Sequence, residues 1–205
     1  MANPTYNIGL KPVNSRDGRP WDGPVSRYHI PASYATNVFI GDAVVKTGTS
    51  NAAVVETCAG KYAIGSLPDV NRVTVGDGNA ITGVVVGFDP NPTTLGRKYG
   101  VASTARVALV VDDPKARFHL RDDGAAALAI TSVGLNAVLI EGTGNTTTGI
   151  SGLKLDTNSD VPAADASNQL TILRLADIHD NIVGVNAVWE VSINQHTESD
   201  GALGI

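Results

Sequence analysis

The chain is poor in the residues that usually carry chemistry. Its 205 residues include one cysteine, Cys58, one methionine and four histidines. A single thiol excludes an intramolecular disulfide framework and any Cys-rich zinc site, and its ordinary fate is that of a small buried apolar side chain. Charged residues are only 17% of the chain and apolar ones 42%, which excludes wholesale disorder. The net charge of −5 argues against a duplex nucleic-acid binder, whose affinity comes largely from neutralising phosphates. No apolar run approaches the roughly 20 residues that a membrane-spanning helix needs. The opening Met1 to Leu10 also lacks the basic-then-apolar pattern of a secretory signal. A protein made in a cytoplasm, or assembled there into something larger, is the expectation.

What is abundant is turn chemistry. There are 22 glycines and 10 prolines, with apolar residues drawn mostly from Val, Ala, Ile and Leu. That mixture suits short strands joined by tight turns. Ala105, Val107, Leu109 and Val111 alternate with Arg106, Ala108 and Val110 before Asp112-Asp113-Pro114 stops the run. Phe118 and Leu120 alternate with His119 and Arg121. Ala187, Trp189, Val191 and Ile193 share one face against Val188, Glu190, Ser192 and Asn194. Period two with β-branched and aromatic residues marks half-buried antiparallel strands. Further strands are expected over 38–46, 53–57, 73–75, 81–88, 137–140 and 170–175. Helix competes only over 124–133 and 164–178, and the second fits a strand equally well. The expected fold is all-β, an antiparallel barrel or sandwich. The polar segment 142–152 leaves open a division into two small subdomains.

The first 36 residues differ from the body at 37–205. Half of the prolines lie there (Pro4, Pro12, Pro20, Pro24, Pro31), with Tyr6, Trp21, Tyr28 and Tyr34. Proline at that density removes backbone donors and fixes φ, which reads as an extended arm and not a helix or central strand. Trp21, Tyr28 and Tyr34 are the expected anchors of the arm on a surface. Arg16, Arg19 and Arg27 would supply attraction to an acidic body, whether within one subunit or between neighbours.

Catalytic constellations are hard to place. His119 with Asp122 and Asp123, and Asp177-Ile178-His179-Asp180, crowd histidine and carboxylates together, but both read as turn sequence, where Asp bonds its own backbone. No Gly-x-Ser-x-Gly elbow occurs. Gly142-Thr143-Gly144-Asn145 and Gly76-Asp77-Gly78-Asn79 lack the lysine and following helix of a phosphate loop, and their glycines read as positive-φ turn residues. Trp189 falls on an apolar strand face and reads as core. Neither catalytic, cofactor nor metal residues are assigned.

Three stretches carry a family likeness. They are Gly9-Leu10-Lys11-Pro12-Val13 through Pro20-Trp21 with Tyr28-His29-Ile30-Pro31 and Tyr34-Ala35-Thr36; Val38-Phe39-Ile40-Gly41-Asp42-Ala43-Val44; and Asn186 to His196. Together they resemble the structural head proteins of tailed bacteriophages, in particular the small β-rich decoration, or cement, proteins. The resemblance implies a non-enzymatic homotrimer on the capsid exterior, with the major capsid protein as partner and with no cofactor, nucleic acid or membrane involved. A tail- or fibre-associated adhesin for a host glycan, and a β-sandwich hydrolase, are the alternatives.

Overall fold

A computed structural model describes residues 3–199. The strands in chain order are β1 (Lys11–Ser15), β2 (Ser26–Ile30), β3 (Ala43–Ser50), β4 (Val55–Thr57), β5 (Gly60–Tyr62), β6 (Pro68–Arg72) and β7 (Gly83–Phe88), then β8 (Arg106–Val111), β9 (Ala116–Arg121), β10 (Asn136–Ala137), β11 (Leu139–Ile140), β12 (Lys154–Leu155), β13 (Leu170–Leu175) and β14 (Val188–Ile193). One turn of 3₁₀ helix, Ile130–Ser132, is the sole helical element among the described residues and lies inside the first of the two stretches where helix competes, 124–133. The second stretch with helical spacing forms strand β13.

Two β layers result. Strands β2-β6-β3-β7-β8 close into a barrel, and β1-β9-β14-β13-β10 form an open five-stranded sheet. The barrel interior is filled by Tyr28, Ile30, Val38, Val44, Val70, Val85, Ala108 and Val110. A second and larger core lies between barrel and sheet. It gathers Ala43, Val84 and Val111 with Phe118, Leu120, Leu170, Ile172, Trp189 and Val191. Alternation does the sorting: Phe118 pairs with Val191 and Leu120 with Trp189, so one sheet face is sealed while Arg117, His119, Glu190 and Ser192 take the other. Each large apolar side chain sealed in this layer contributes about 1.5–3 kcal/mol.

The N-terminal segment is not a separate arm. β1 is an edge strand of the open sheet, where Pro12 is tolerated, and β2 is hydrogen-bonded on both sides within the barrel. The physical reason is placement: Pro20 lies in the hairpin that follows β1, and Pro24 and Pro31 flank a proline-free run that supplies β2. Nor does 142–152 divide the body. Ile40 bridges Ile150, and Ser151 Oγ donates to buried Asp42 at 2.5 Å, which clamps the segment to the barrel entry. The change from barrel to sheet falls instead between β8 and β9, and one core spans both.

Two further expectations are corrected. Cys58 is exposed, at the tip of the β4–β5 hairpin, where its backbone N–H donates to Pro90 O. Gly76 and Gly78 have positive φ as turn residues do, whereas Gly142 and Gly144 are required by close approach. A Cβ on Gly142 would lie 2.1 Å from Gly152 O, and one on Gly144 2.3 Å from the Phe39 ring.

Deleting residues 1–35 removes β1 and β2 together, opening the barrel at β6 and β8 and baring the β9 edge of the open sheet. The truncated chain should lose cooperative thermal unfolding, measured by circular dichroism. A sharp β-type melt in that variant would show that the barrel closes without β2.

Candidate functional site

The expected arm residues are placed apart from one another. Tyr28 is buried in the barrel, with its hydroxyl donating to Asp112 Oδ2 at 2.9 Å. Burial, with Asp112 beside it, pushes the Tyr28 phenol well above its ordinary range. Tyr34 packs against the barrel core and its hydroxyl accepts from the Arg72 backbone N–H. Trp21 packs half-buried against the larger core. Arg27 Nε lies 3.1 Å from Asp89 Oδ2, which also accepts from Tyr62 Oη. These four side chains are used within their own chain, so they cannot be the anchors of a detached arm. Arg16 and Arg19 are exposed on the hairpin that follows β1, with Arg19 3.8 Å from Asp17.

The histidine–carboxylate groups are spread out likewise. His119 lies within β9, not in a turn, and faces away from the core. Asp122 is fully buried and accepts from the amides of Gly124, Asn186 and Ala187. Burial raises its pKa against those three bonds. Asp123 accepts from Thr157 Oγ1 and from the Ala125 amide. His179 is exposed beside Asp180. Among the described residues no three His, Cys, Asp or Glu side chains converge as cation ligands.

The feature that sequence reasoning missed is the loop joining β13 to β14. Ile178, Ile182, Val183 and Val185 are 40%, 48%, 43% and 47% exposed within eight residues. Single exposed aliphatics are ordinary, but a cluster of them is not. The loop is fixed from three sides. Asn181 Nδ2 donates to Ala176 O and Val188 O, while its Oδ1 accepts from the Val188 amide. Asn3 reaches in from the N-terminal segment, donating to Ile182 O and Val185 O and accepting from the Ile182 amide. Arg121, 1% exposed, donates to Pro4 O, Tyr6 O and Asn186 O, and its guanidinium lies 4.9 Å from the ring centroid of Tyr6, itself 62% exposed. Four part-exposed aliphatics are thereby carried on a loop whose backbone is hydrogen-bonded by Asn3, Arg121 and Asn181. From sequence these aliphatics have the composition of core, and their exposure is a matter of tertiary placement.

A second surface is polar. On the outward face of the open sheet, Glu190 is 2% exposed and bonded to Arg174, Arg117 and Asn14. Burial of Glu190 favours the neutral acid. Hydrogen bonding and charge from Arg174, with Asn14 and Arg117, outweigh it and hold the carboxyl below its ordinary 4.5. Burial lowers the pKa of neighbouring His119; Glu190 opposes that shift, and Lys11 and Arg174 reinforce it.

A third feature is a groove of about 660 Å³ between 35–37 and 141–146, crossed by Arg72, which pairs with Asp42 and Glu141. Its aromatic lining residue, Phe39, is 7% exposed and stacked on Tyr99. Among its described lining residues no ring lies open for a sugar to stack on. No helix among the described residues is long and apolar enough to cross a membrane.

Two outcomes follow from these bonds. Arg121→Met should strip three carbonyls of their donor at about 1–3 kcal/mol each, lowering the melting temperature and raising proteolysis within 178–186. An unchanged melt would show that water replaces the guanidinium. For Glu190, the folded-state pKa is depressed, so its stabilisation is present above the ordinary glutamate value and is lost as pH falls through the folded one. Glu190→Gln should cost about 2 kcal/mol at neutral pH and flatten the acid limb of stability against pH in urea titrations. An acid limb as steep as that of the wild type would assign it to other carboxylates.

No protein-family model, curated protein or solved structure matches the chain.

Proposed function

We propose that the protein is a structural, non-catalytic component of a bacteriophage particle, made in the bacterial cytoplasm and seated on the capsid exterior as a decoration protein. Its partners are the major capsid protein and two further copies of itself. The observation that carries this reading is the aliphatic loop 178–185 with its three-sided bracing. Apolar surface kept in water is costly unless something covers it. A loop already held by Asn3, Arg121 and Asn181 loses little further entropy when it docks.

The physics of cementing matches such a surface. A protein that binds the assembled shell and not its free subunits shifts the equilibrium toward assembly by mass action. Modest contacts suffice when several are engaged at once, because linked sites raise effective concentration. A closed trimer presenting three identical loops meets that condition with one copy of the sequence.

The test is co-sedimentation with undecorated capsids of the encoding phage. Wild-type protein should pellet with them, and light scattering should give a trimer. The Ile182→Ser/Val183→Ser/Val185→Ser variant changes exposed side chains, so it should melt like the wild type yet bind capsids at least about tenfold more weakly. Undiminished decoration by that variant would remove the loop from the interface, and no decoration by the wild type would remove the reading.

A further inference from the structure

We propose that a basic groove at one end of the open sheet binds a short acidic segment of a partner polypeptide. The groove encloses about 610 Å³, within the range of roughly 300–1,000 Å³ typical of ligand sites. Arg16, Lys115 and Arg117 line it beside Thr171, Ser192 and Asn194, and no Asp or Glu is among its described lining residues. This is a local concentration of positive charge on a chain whose net charge is −5.

The local strand geometry separates the charges. Ser15 lies opposite Ala116 and Asn14 opposite Arg117, and the Arg16 amide donates to Lys115 O, so the two exposed cations stand at adjoining chain turns. Their neighbours in sequence, Asp17 and Asp113, line a different cavity of about 200 Å³ on the Trp21 side, together with Arg19. Among the described residues, neither Arg16 nor Lys115 has an acidic partner at ion-pair distance. Arg117 is oriented by Glu190 at 3.3 Å. The groove therefore holds one pre-positioned guanidinium and two cations awaiting counter-charge.

The form of the site selects the ligand class. Guanidinium groups bind carboxylates through paired N–H donors, and the hydroxyl and amide side chains can complete such a contact. Val133 and Leu173 add aliphatic surface suited to a peptide side chain. No aromatic side chain is among its described lining residues, so a nucleic acid finds nothing there on which to stack its bases. A long polyanion would also meet the net negative charge of the chain beyond the groove. At Ile172 the strand edge is already occupied, since its carbonyl accepts from the Gly134 amide and its amide donates to Leu135 O. Recognition is by side chains, and it stands independently of the capsid role.

The experiment titrates the full-length protein into a fluorescent peptide of alternating glutamate and leucine, followed by anisotropy. Binding should weaken with added salt, and the glutamine–leucine analogue should not bind. Arg16→Glu/Lys115→Glu should weaken binding at least about tenfold, while Arg19→Glu, on the other cavity, should not change it. Undetectable binding of the acidic peptide, equal binding by the double variant, or tighter binding of a single-stranded oligonucleotide or a sulfated oligosaccharide would each overturn the assignment.

Discussion

The structure depends on barrel closure by β2. Four barrel strands are contributed by residues 43–111, and without a fifth they would leave two unpaired edges. β2 fills the gap with unequal sides. Toward β8 it runs antiparallel through five registered pairs from Ser26 to Ile30. Toward β6 it runs parallel with the single registered pair His29 and Asp69. Side chains strengthen that thin seam: His29 Nδ1 and Asp69 Oδ1 are 2.6 Å apart, and Thr49 Oγ1 donates to the other carboxylate oxygen at 3.0 Å. Closure then sets the outer wall that Phe118 and Trp189 pack against, and so the seating of the open sheet.

What was legible in the sequence was whatever local periodicity encodes. The alternation over 105–111, 170–175 and 187–194 lies over β8, β13 and β14 to within a residue. β2 is not legible from the proline content of the segment as a whole, because the chain confines proline to the turns on either side of Tyr28-His29-Ile30. Cys58 departs from its residue type for a related reason. A residue-type tendency toward burial says nothing about a hairpin tip. Gly142 and Gly144 needed tertiary information, since the Gly152 backbone and the Phe39 ring create their steric demand.

The two candidate surfaces were illegible in different ways. Ile182, Val183 and Val185 have the composition of core, and their exposure depends on how the loop is placed, with Asn3, Arg121 and Asn181 bonding its backbone. Arg16 was visible as an exposed cation, but Lys115 and Arg117 join it only through the β1–β9 pairing, across about a hundred residues of sequence. Expecting basic residues in the first 36 positions to act as an arm located one member of the groove and missed the strand that completes it.

Buried polar side chains explain how a chain with so much irregular backbone can hold surfaces of fixed shape. Loop carbonyls and amides under cover need partners as strongly as strand ones do. Here Arg121 serves Pro4, Tyr6 and Asn186, Asp122 serves Gly124, Asn186 and Ala187, and Gln169 serves Thr74, Gly76, Asn79 and Leu139. Each is a single side chain tying together segments far apart in sequence. Arg121 bears the largest demand, because burial lowers its pKa with Tyr6 and Asp122 opposing the shift, and its charge is balanced by carbonyl dipoles and a ring face, not by a directly paired carboxylate. An uncharged donor of that length would serve fewer carbonyls, and a shorter one would not span from β9 to the N-terminal segment. The cost of burying the guanidinium is therefore tied to the bonds that join the N-terminal segment to the loop carrying the exposed aliphatics.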